Sequence, residues 1–579
     1  MKILSIQLGH NATVGLLVDG EIVGLISQEK FDNIKNSSAF PEDAIRWLLE
    51  EFKVDKLDYI AVSGLKIYPA QMEAFKESKE SDRKSLKQKI ADNLFLWLGE
   101  KKFFHNYYFK KVLASQEAIQ EKAKEKFFNK MFEILGEDIR NKTIFVEHHK
   151  CHVYSAFYSL NRDKNERALI VSLDGSGDYY CATVNLYENG EIKRIASTKW
   201  IYSLGYIYSK TTTFLGLKPL EHEYKVMGLA PYAKEEYVKK VYEKYFKDVI
   251  WLEDNLEFEA KIPTNRFELY LKENVCMQRF DNIAGAVQML TEELVTKWID
   301  LAIKKFNVSK VYTGGGVFMN VKLNKKIMEL DRVDKPYFMP SCGDESNPIG
   351  AAFYIYKEKT KKDPKPLKDL FLGIKYSNDE VKEFLKKYED KYVIKYYENI
   401  EEKIASLLAD FKVVARFWDR CEWGARSLGN RAILGNASDM KTFYEINDMI
   451  KKRDFWMPFA PSILKEDSHL YIKNPKNIDA PYMIVAFDST ELAKKHLIAA
   501  MHQADHTLRA QLVDKEINPH YHKIISEFKK LTGIGGILNT SFNLHGYPLV
   551  ATLEQAMFTF ENSGLRYLAL QNYLVSKDV

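Results

Sequence analysis

Apolar positions along this chain form short runs and helical stripes, and one arrangement of them occurs twice. KILSIQLG, Lys2–Gly9, reads as a strand that breaks at Gly9-His10-Asn11 and resumes as TVGLLVDGEIVGLISQE. Within that stretch Asp19-Gly20 lies between two apolar runs and predicts a hairpin. Behind Pro41, the residues Ile45, Leu48, Leu49 and Phe52 share one face, which predicts a helix over Pro41–Lys53. Asp58–Gly64 and Ile144-Phe145-Val146 read as buried strands. After the second of these, Val153, Ala156, Phe157 and Leu160 mark a helix through EHHKCHVYSAFY, Glu147–Tyr158. The opening pattern then returns in ALIVSLDGSGDYYCATVNLYENGEI. There a polar turn, Asp174–Asp178, separates two strands, and Asn189-Gly190 makes a second turn. Such repetition predicts a domain built of two related halves. A helix over Ala284–Phe306 and a strand ending in three glycines, KVYTGGGVFMN (Lys310–Asn320), complete it, followed by SCGDESNPIGAAFYIY.

Two stretches break the pattern. Residues 66–140 are rich in lysine, glutamate and aromatics and nearly lack glycine and proline. They read as a helical insertion whose charge runs are solvated and whose aromatics (Phe103, Phe104, Tyr107, Tyr108, Phe109) either pack or line a specificity pocket. Residues 357–369, KEKTKKDPKPLKD, are charged, hold two prolines and show no apolar period, so they read as a linker. The expected division is therefore a first domain over 1–356 and a second over 370–579. With 579 residues, 46% of them hydrophobic, the chain is too long for a single core. A net charge of +5, spread along the sequence, makes nucleic acid a possible partner without indicating one. Five scattered cysteines with no Cys-x-x-Cys fit free thiols in a reducing cytoplasm. Neither a signal peptide nor a membrane span is expected, because polar residues interrupt every apolar run.

Candidate chemistry sits in the turns. His148 and His152 are four apart on a helix, so both imidazoles aim at one point. That is either a metal pair or a hydrogen-bonded pair. The glutamate of the zinc-protease motif is absent beside His148, so protease chemistry is not expected and a third ligand must come from elsewhere. Asp344, in a glycine-containing turn ahead of a helix, is the choice for it. Asp174 and Asp178 lie in a turn whose glycines, Gly175 among them, let phosphate approach the backbone, and a carboxylate there can hold the metal or belong to a plain hairpin turn. Gly314, Gly315 and Gly316, with Asn320 behind them, suit close packing of an adenosine. His10 is a turn residue or a catalytic one. In the second domain Arg426, Arg431, Lys451, Lys452, Arg453 and Arg509 accompany Asn539, Ser541 and Asn543 among Trp, Phe and Pro. A multiply charged phosphate ligand requires such a set, although any single arginine can equally be a surface ion pair.

Ten motifs then occur in one order: GHNAT, EHHKCHVYSAFY, DGSGD, EYKVMGLAPY, GGGVFMN, GDESNPIGAA, EWGARSLGNRAIL, MPFAPS, HTLRAQ and LNTSFN. Over essentially its whole length, apart from the insertion, the chain resembles the O-carbamoyltransferases of antibiotic and nodulation-factor biosynthesis. The resemblance implies an α/β first domain of the actin-like ATPase (Kae1-like) type and an α/β to α+β second domain of YrdC-like type. It implies that carbamoyl phosphate and ATP give carbamoyl-adenylate in the second domain, and that an acceptor hydroxyl, of a small molecule or a nucleotide, takes the carbamoyl group in the first. His148, His152 and Asp344 would then hold an iron(II)-like ion, with Mg2+ as a possible further cofactor. Asp174 would lie beside the ion, Lys35 would reach the same nucleotide phosphate, and His10 would be the general base. Arg426, Arg431, Lys451, Arg509 and Ser541 would cradle carbamoyl phosphate. Three positions depart from the family: Asn11 replaces an aspartate, Met457 an arginine, and GDESNPIGAA has less glycine than usual. The phosphate contact of that arginine would fall to Lys452 or Arg453, with Lys452 the better placed by charge. Rival readings are threonylcarbamoyl transfer to tRNA, carbamoylation of a hydroxymethylated nucleobase or DNA, and a non-catalytic nucleotide-binding scaffold. Oligomeric state and acceptor identity have no signature in the sequence.

Overall fold

The computed structural model describes residues 1–67, 86–160 and 166–577. The remainder of the expected insertion, residues 68–85, lies outside the described residues. The chain forms two compact units. One comprises Met1–Val23 and Asn36–Pro366, the other Gly24–Lys35 and Leu367–Val579.

The first unit holds two five-stranded sheets of the same topology. Strands β1 (Lys2–Gln7), β2 (Thr13–Val18), β3 (Glu21–Ser27), β4 (Tyr59–Ser63) and β5 (Thr143–Val146) lie in the order β3-β2-β1-β4-β5. Strands β6 (Ala168–Gly177), β7 (Tyr180–Glu188) and β8 (Glu191–Lys199) belong to the other sheet. A small ribbon, β9 (Ile250–Leu252) with β10 (Phe258–Ala260), stands apart. β11 (Val311–Gly314) and β12 (Pro336–Phe338) complete the order β8-β7-β6-β11-β12. In each sheet the central strand pairs antiparallel with its hairpin partner and parallel with the strand on its other side. This is the two-halved arrangement expected of an actin-like ATPase fold. The central strands are apolar on both faces, and Ile3, Leu4, Ile6, Leu169 and Ile170 are all fully buried, as strands covered on both sides require. Asp19-Gly20 and Asn189-Gly190 both have positive φ at their two positions, the geometry of tight hairpin turns.

Two helices pack on these sheets. His148–Tyr158 lies against β6 and β11, and Asn347–Thr360 lies against β1, β2 and β4. They also pack on each other so closely that a Cβ on Gly350 would stand 1.8 Å from the Cys151 carbonyl oxygen. The second of these helices continues to Thr360, four residues into the stretch read as linker, and ends at Lys361 in a left-handed conformation. Lys357–Thr360 is charged because it is the solvated last turn of a helix.

The described part of the insertion is three helices, Leu86–Gly99, Lys102–Glu117 and Gln120–Leu135. Its aromatics divide. Phe104, Tyr108 and Phe109 pack with Phe95 and Trp200, whereas Phe103 and Tyr107 are exposed.

The second unit is built on an eight-stranded mixed sheet. It comprises β13 (Val393–Tyr396), β14 (Val414–Phe417), β15 (Arg431–Gly435), β16 (Ala460–Leu464), β20 (Gln511–Val513), β21 (Gly536–Ser541), β22 (Tyr567–Leu570) and β23 (Tyr573–Ser576). Their order is β13-β23-β22-β14-β15-β21-β16-β20. The short strands β17 (Ile472–Lys473), β18 (Phe487–Ser489) and β19 (Thr507–Leu508) form a separate sheet. The segment Gly24–Lys35 belongs here by its contacts. Leu25 N–H donates to the Leu372 carbonyl, the buried Lys30 ammonium to the Leu549 carbonyl, and the Gln555 amide to the Lys30 carbonyl. Lys35 is thus part of the second unit, although its place in the sequence suggested the first.

No helix among the described residues is long and apolar enough to cross a membrane. The five cysteines form no disulfide, and all but Cys276 are buried.

Candidate metal centre and phosphate cradle

Glu147 starts the first site. Its carboxylate accepts the His149 and Lys150 N–H groups as the N-cap of the His148–Tyr158 helix, and it is held in place by Arg194 at 2.6 Å. The helix then presents His148 and His152 on one face. Their Nε2 atoms are 3.1 Å apart. His148 Nε2 lies 3.3 Å from Asp174 Oδ2 and 3.4 Å from Asp344 Oδ1, and His152 Nε2 is also 3.4 Å from Asp344 Oδ1. One donor atom from each of the four residues lies within 4.8 Å of all the others. Asp174, expected beside the metal, thus joins the donor set itself.

The surroundings suit a cation. Burial disfavours charge on His148, but Asp344 and Asp174 outweigh it and raise its pKa to about 10. A divalent ion would satisfy the same excess of carboxylate, and two imidazoles with two carboxylates are donors for a mid-row transition metal. Asp174 is oriented by the Gly316 N–H, which donates to its Oδ1 at 3.0 Å. Asp178 accepts N–H groups from His148, Leu65 and Lys66, so it ties the helix start to the end of β4. His149 points away from the cluster. It is fully buried against the Ser172 hydroxyl at 2.9 Å, and burial together with the charge of His148 lowers its pKa to about 3, which keeps it neutral.

The glycines near the cluster serve backbone proximity. Gly315 adopts φ +99, and a Cβ there would lie 2.4 Å from the Leu173 carbonyl oxygen. At Gly177 a Cβ would enter the His148 ring, at 2.0 Å. At Gly314 a Cβ would lie 2.8 Å from the His152 carbonyl oxygen, whereas Gly175 has open space. Asn320, expected near the nucleotide, uses its side chain within the protein. It caps the helix Val321–Glu329 and exchanges amide hydrogen bonds with Gln288. His10 sits on the turn after β1, its Nε2 3.4 Å from the Leu220 carbonyl oxygen.

The insertion is anchored to segments that hold these donors. His105 Nδ1 pairs with the Tyr202 hydroxyl, and the adjacent Ser203 hydroxyl donates to the Asp174 carbonyl. Gln120 makes two hydrogen bonds to Ile67, next to the residues that Asp178 holds.

In the second unit three expected residues converge. A π-helical turn, Asn447–Lys451, places the Lys451 ammonium at the end of β21. There it donates to Asn543 Oδ1 at 2.6 Å, to Ser541 Oγ at 3.2 Å, and to the carbonyls of both residues. Burial pushes its pKa well down, and the charges of Arg453 and Lys35 add to that. Lys35 therefore joins this cationic group. Arg453 reaches Thr540 Oγ1 on the same strand at 3.2 Å. Lys452 instead occupies a left-handed position, φ +44, with its side chain exposed, and Met457 is 5% exposed. Of the two residues expected to replace the missing arginine, Arg453 thus faces the strand that carries Thr540, whereas Lys452 faces solvent.

Arg431 is in the core. Its guanidinium donates to the carbonyls of Trp418, Asp419, Asn430 and Ile374 and stacks 3.6 Å from the centre of the Phe417 ring. A second buried arginine, Arg416, which the sequence reading passed over, donates to the Gly429 carbonyl at 2.6 Å. Its signal was an arginine inside an apolar strand, VARF. From the other side Glu422 accepts the Leu428 and Arg431 N–H groups. The two arginines and Glu422 therefore shape the loop that carries Arg426. Arg426 and Arg509 are both half-buried, Arg509 on the link between β19 and β20. Asn539 is an interior residue, bonded to Ser427, Ser462 and Gln511.

Comparison with known proteins bears on what these two sites serve. Residues 2–353 match the model of the carbamoyltransferase N-terminus, and residues 405–577 that of the carbamoyltransferase C-terminus. An uncharacterised protein of Methanocaldococcus jannaschii is 30% identical over 591 residues, 99% of each chain. Nodulation protein NolNO of Sinorhizobium fredii is 27% identical over 580 residues, 98% of this chain and 79% of that one. The 3'-hydroxymethylcephem-O-carbamoyltransferase of Amycolatopsis lactamdurans is 25% identical over 281 residues, 48% of this chain and 51% of its own. Among solved structures, full-length HypF in its phosphate- and nucleotide-bound form overlays with a TM-score of 0.37 at 14% identity, covering 62% of this chain and 47% of that one, too loosely to argue from. With both family regions present in order along one chain, the protein belongs to the carbamoyltransferase family and is a carbamoyl-transferring enzyme.

Proposed function

We propose that the protein is an ATP-dependent O-carbamoyltransferase whose two half-reactions are divided between its units. One observation carries the proposal: each unit holds a different buried, charged site, a donor cluster in the first and a lysine cradle beside Arg453 and Lys35 in the second. In the second unit the cations bind carbamoyl phosphate and ATP. Water releases phosphate from carbamoyl phosphate, a carbamate oxygen attacks the α-phosphorus, and pyrophosphate leaves, giving carbamoyl-adenylate. Exclusion of water afterwards protects that anhydride.

In the first unit His148, His152, Asp344 and Asp174 would hold a divalent metal, iron(II) by family resemblance, with Mg2+ accompanying ATP. Once bound, the ion would supply positive charge next to the nucleotide phosphate. With its Nε2–H donated to the Leu220 carbonyl, His10 presents Nδ1 as the base for the acceptor hydroxyl. The hydroxyl oxygen attacks the carbamoyl carbon, its proton goes to His10, and AMP leaves. Gly314–Gly316 bring the backbone close enough to pack against the nucleotide. The acceptor is a hydroxyl of a small molecule or nucleotide, and the insertion, anchored beside the cluster, is the element placed to read it.

The test is incubation with ATP, labelled carbamoyl phosphate and a panel of hydroxyl-bearing acceptors, followed by mass spectrometry. ATP-dependent gain of one carbamoyl group on an acceptor oxygen is expected. Gain on nitrogen only, or gain independent of ATP, would overturn the proposal.

A further inference from the structure

The turn carrying His10 and the turn carrying Asp344 are joined by one side-chain pair that neither the donor cluster nor the proposed proton transfer uses. Asn11 follows His10 with φ +57, a conformation asparagine tolerates better than most residues. Its Nδ2 donates to Glu345 Oε2 at 3.1 Å. Glu345 follows Asp344 and is only 6% exposed. The other Glu345 oxygen accepts the Ser341 hydroxyl. Gly343 makes room for this fold-back, since a Cβ there would lie 2.4 Å from Glu345 Oε2. On the His10 side, the Ala12 N–H donates to the Ser37 carbonyl at 2.9 Å and the Thr13 hydroxyl to the Asn11 carbonyl at 2.7 Å. Each turn is thus braced internally, and the Asn11–Glu345 hydrogen bond joins them.

We propose that Asn11 and Glu345 are a positioning pair that sets His10 against the Asp344 donor, and so fixes where the acceptor hydroxyl meets the carbamoyl carbon; this rests on the roles given to His10 and the cluster above. The pair has a direction, because an amide N–H has to face a carboxylate oxygen. Asn11→Asp keeps the size and the left-handed backbone but puts two carboxylates where one amide meets one carboxylate, and they repel. Adding Glu345→Gln reverses the polarity: the glutamine amide donates to the new carboxylate, and its oxygen keeps the Ser341 hydroxyl.

The experiment compares the full-length wild type, N11D and N11D/E345Q. Amide hydrogen exchange over residues 9–12 and 341–346 should be about tenfold faster in N11D and return to within about threefold of wild type in the double variant, the signature of a coupled pair. The rate of carbamoyl transfer should fall about tenfold or more in N11D and recover with the second substitution, as expected for misplaced reacting groups. Pyrophosphate–ATP exchange dependent on carbamoyl phosphate should be the same in all three. Exchange over 341–346 that ignores N11D, or a double variant no better than N11D, overturns the pair and leaves the assigned reaction standing. The expected exchange pattern in a protein whose wild type transfers no carbamoyl group keeps the contact but overturns the reaction, and with it the pair's catalytic consequence.

Discussion

Lys451 holds its ammonium among oxygens of Ser541 and Asn543 while burial, Arg453 and Lys35 push its pKa down. A lysine in that state loses its proton more readily than usual, and a phosphate dianion favours the charged form. Binding carbamoyl phosphate should therefore take up protons, and affinity should fall as pH rises through the depressed pKa. Calorimetry in buffers of different ionisation heat measures this, and a linked proton number of zero would contradict it. Arg453 should matter more than its neighbour. Loss of a charged hydrogen bond is worth about 1.5–3 kcal/mol, so Arg453→Ala should raise the Michaelis constant for carbamoyl phosphate roughly 10- to 150-fold. Exposed Lys452→Ala should change it by no more than about twofold. The sequence offered both residues and favoured Lys452 on charge, because charge is visible in a sequence and the left-handed, exposed position of Lys452 is not. Arg431 shows the same limit. Its guanidinium is engaged with four carbonyls of the residues around it, and nothing in EWGARSLGNRAIL distinguishes such an arginine from a phosphate ligand.

Among the elements, the His148–Tyr158 helix sets the geometry of the first site. Glu147→Ala removes its cap and strands Arg194, at an expected cost of about 1–2 kcal/mol in stability measured by denaturant unfolding. Gly177→Ala acts more locally. The added Cβ would sit 2.0 Å from the His148 ring, so the ring must turn. Metal content, measured on the purified protein, should fall well below that of wild type while the unfolding midpoint moves little. Full metal occupancy in that variant would argue against His148 as a ligand. The elements themselves were largely legible. Asp19-Gly20 and Asn189-Gly190 mark turns that only a few residue types form, and spacing of four puts His148 and His152 together whatever the rest of the fold does. Element ends were less so. The Asp174–Asp178 run, read as a turn, continues β6 to Gly177 through an irregular register, because polar residues at a buried cluster look like turn residues.

For the whole molecule, the repeated sheet order of the first unit follows from the repeated strand–turn–strand pattern, and the family follows from ten motifs in order. The assignment of Gly24–Lys35 to the second unit was not legible. Its apolar run, GLISQE, continues a strand of the first unit, and only contacts with Leu372, Leu549 and Gln555 give it away. That reassignment moves Lys35 to the site proposed to form the adenylate, with a consequence: Lys35→Ala should impair adenylate formation.

Division of the reaction between the units is tested most directly by pyrophosphate–ATP exchange dependent on carbamoyl phosphate, in wild type, His10→Asn, His152→Ala, Lys35→Ala and Lys451→Ala. The account predicts exchange at the wild-type rate in the His10 and His152 variants, although neither transfers carbamoyl to acceptor, and exchange reduced about tenfold or more in the two lysine variants. Loss of exchange in His10→Asn, or wild-type exchange in Lys451→Ala, would contradict it.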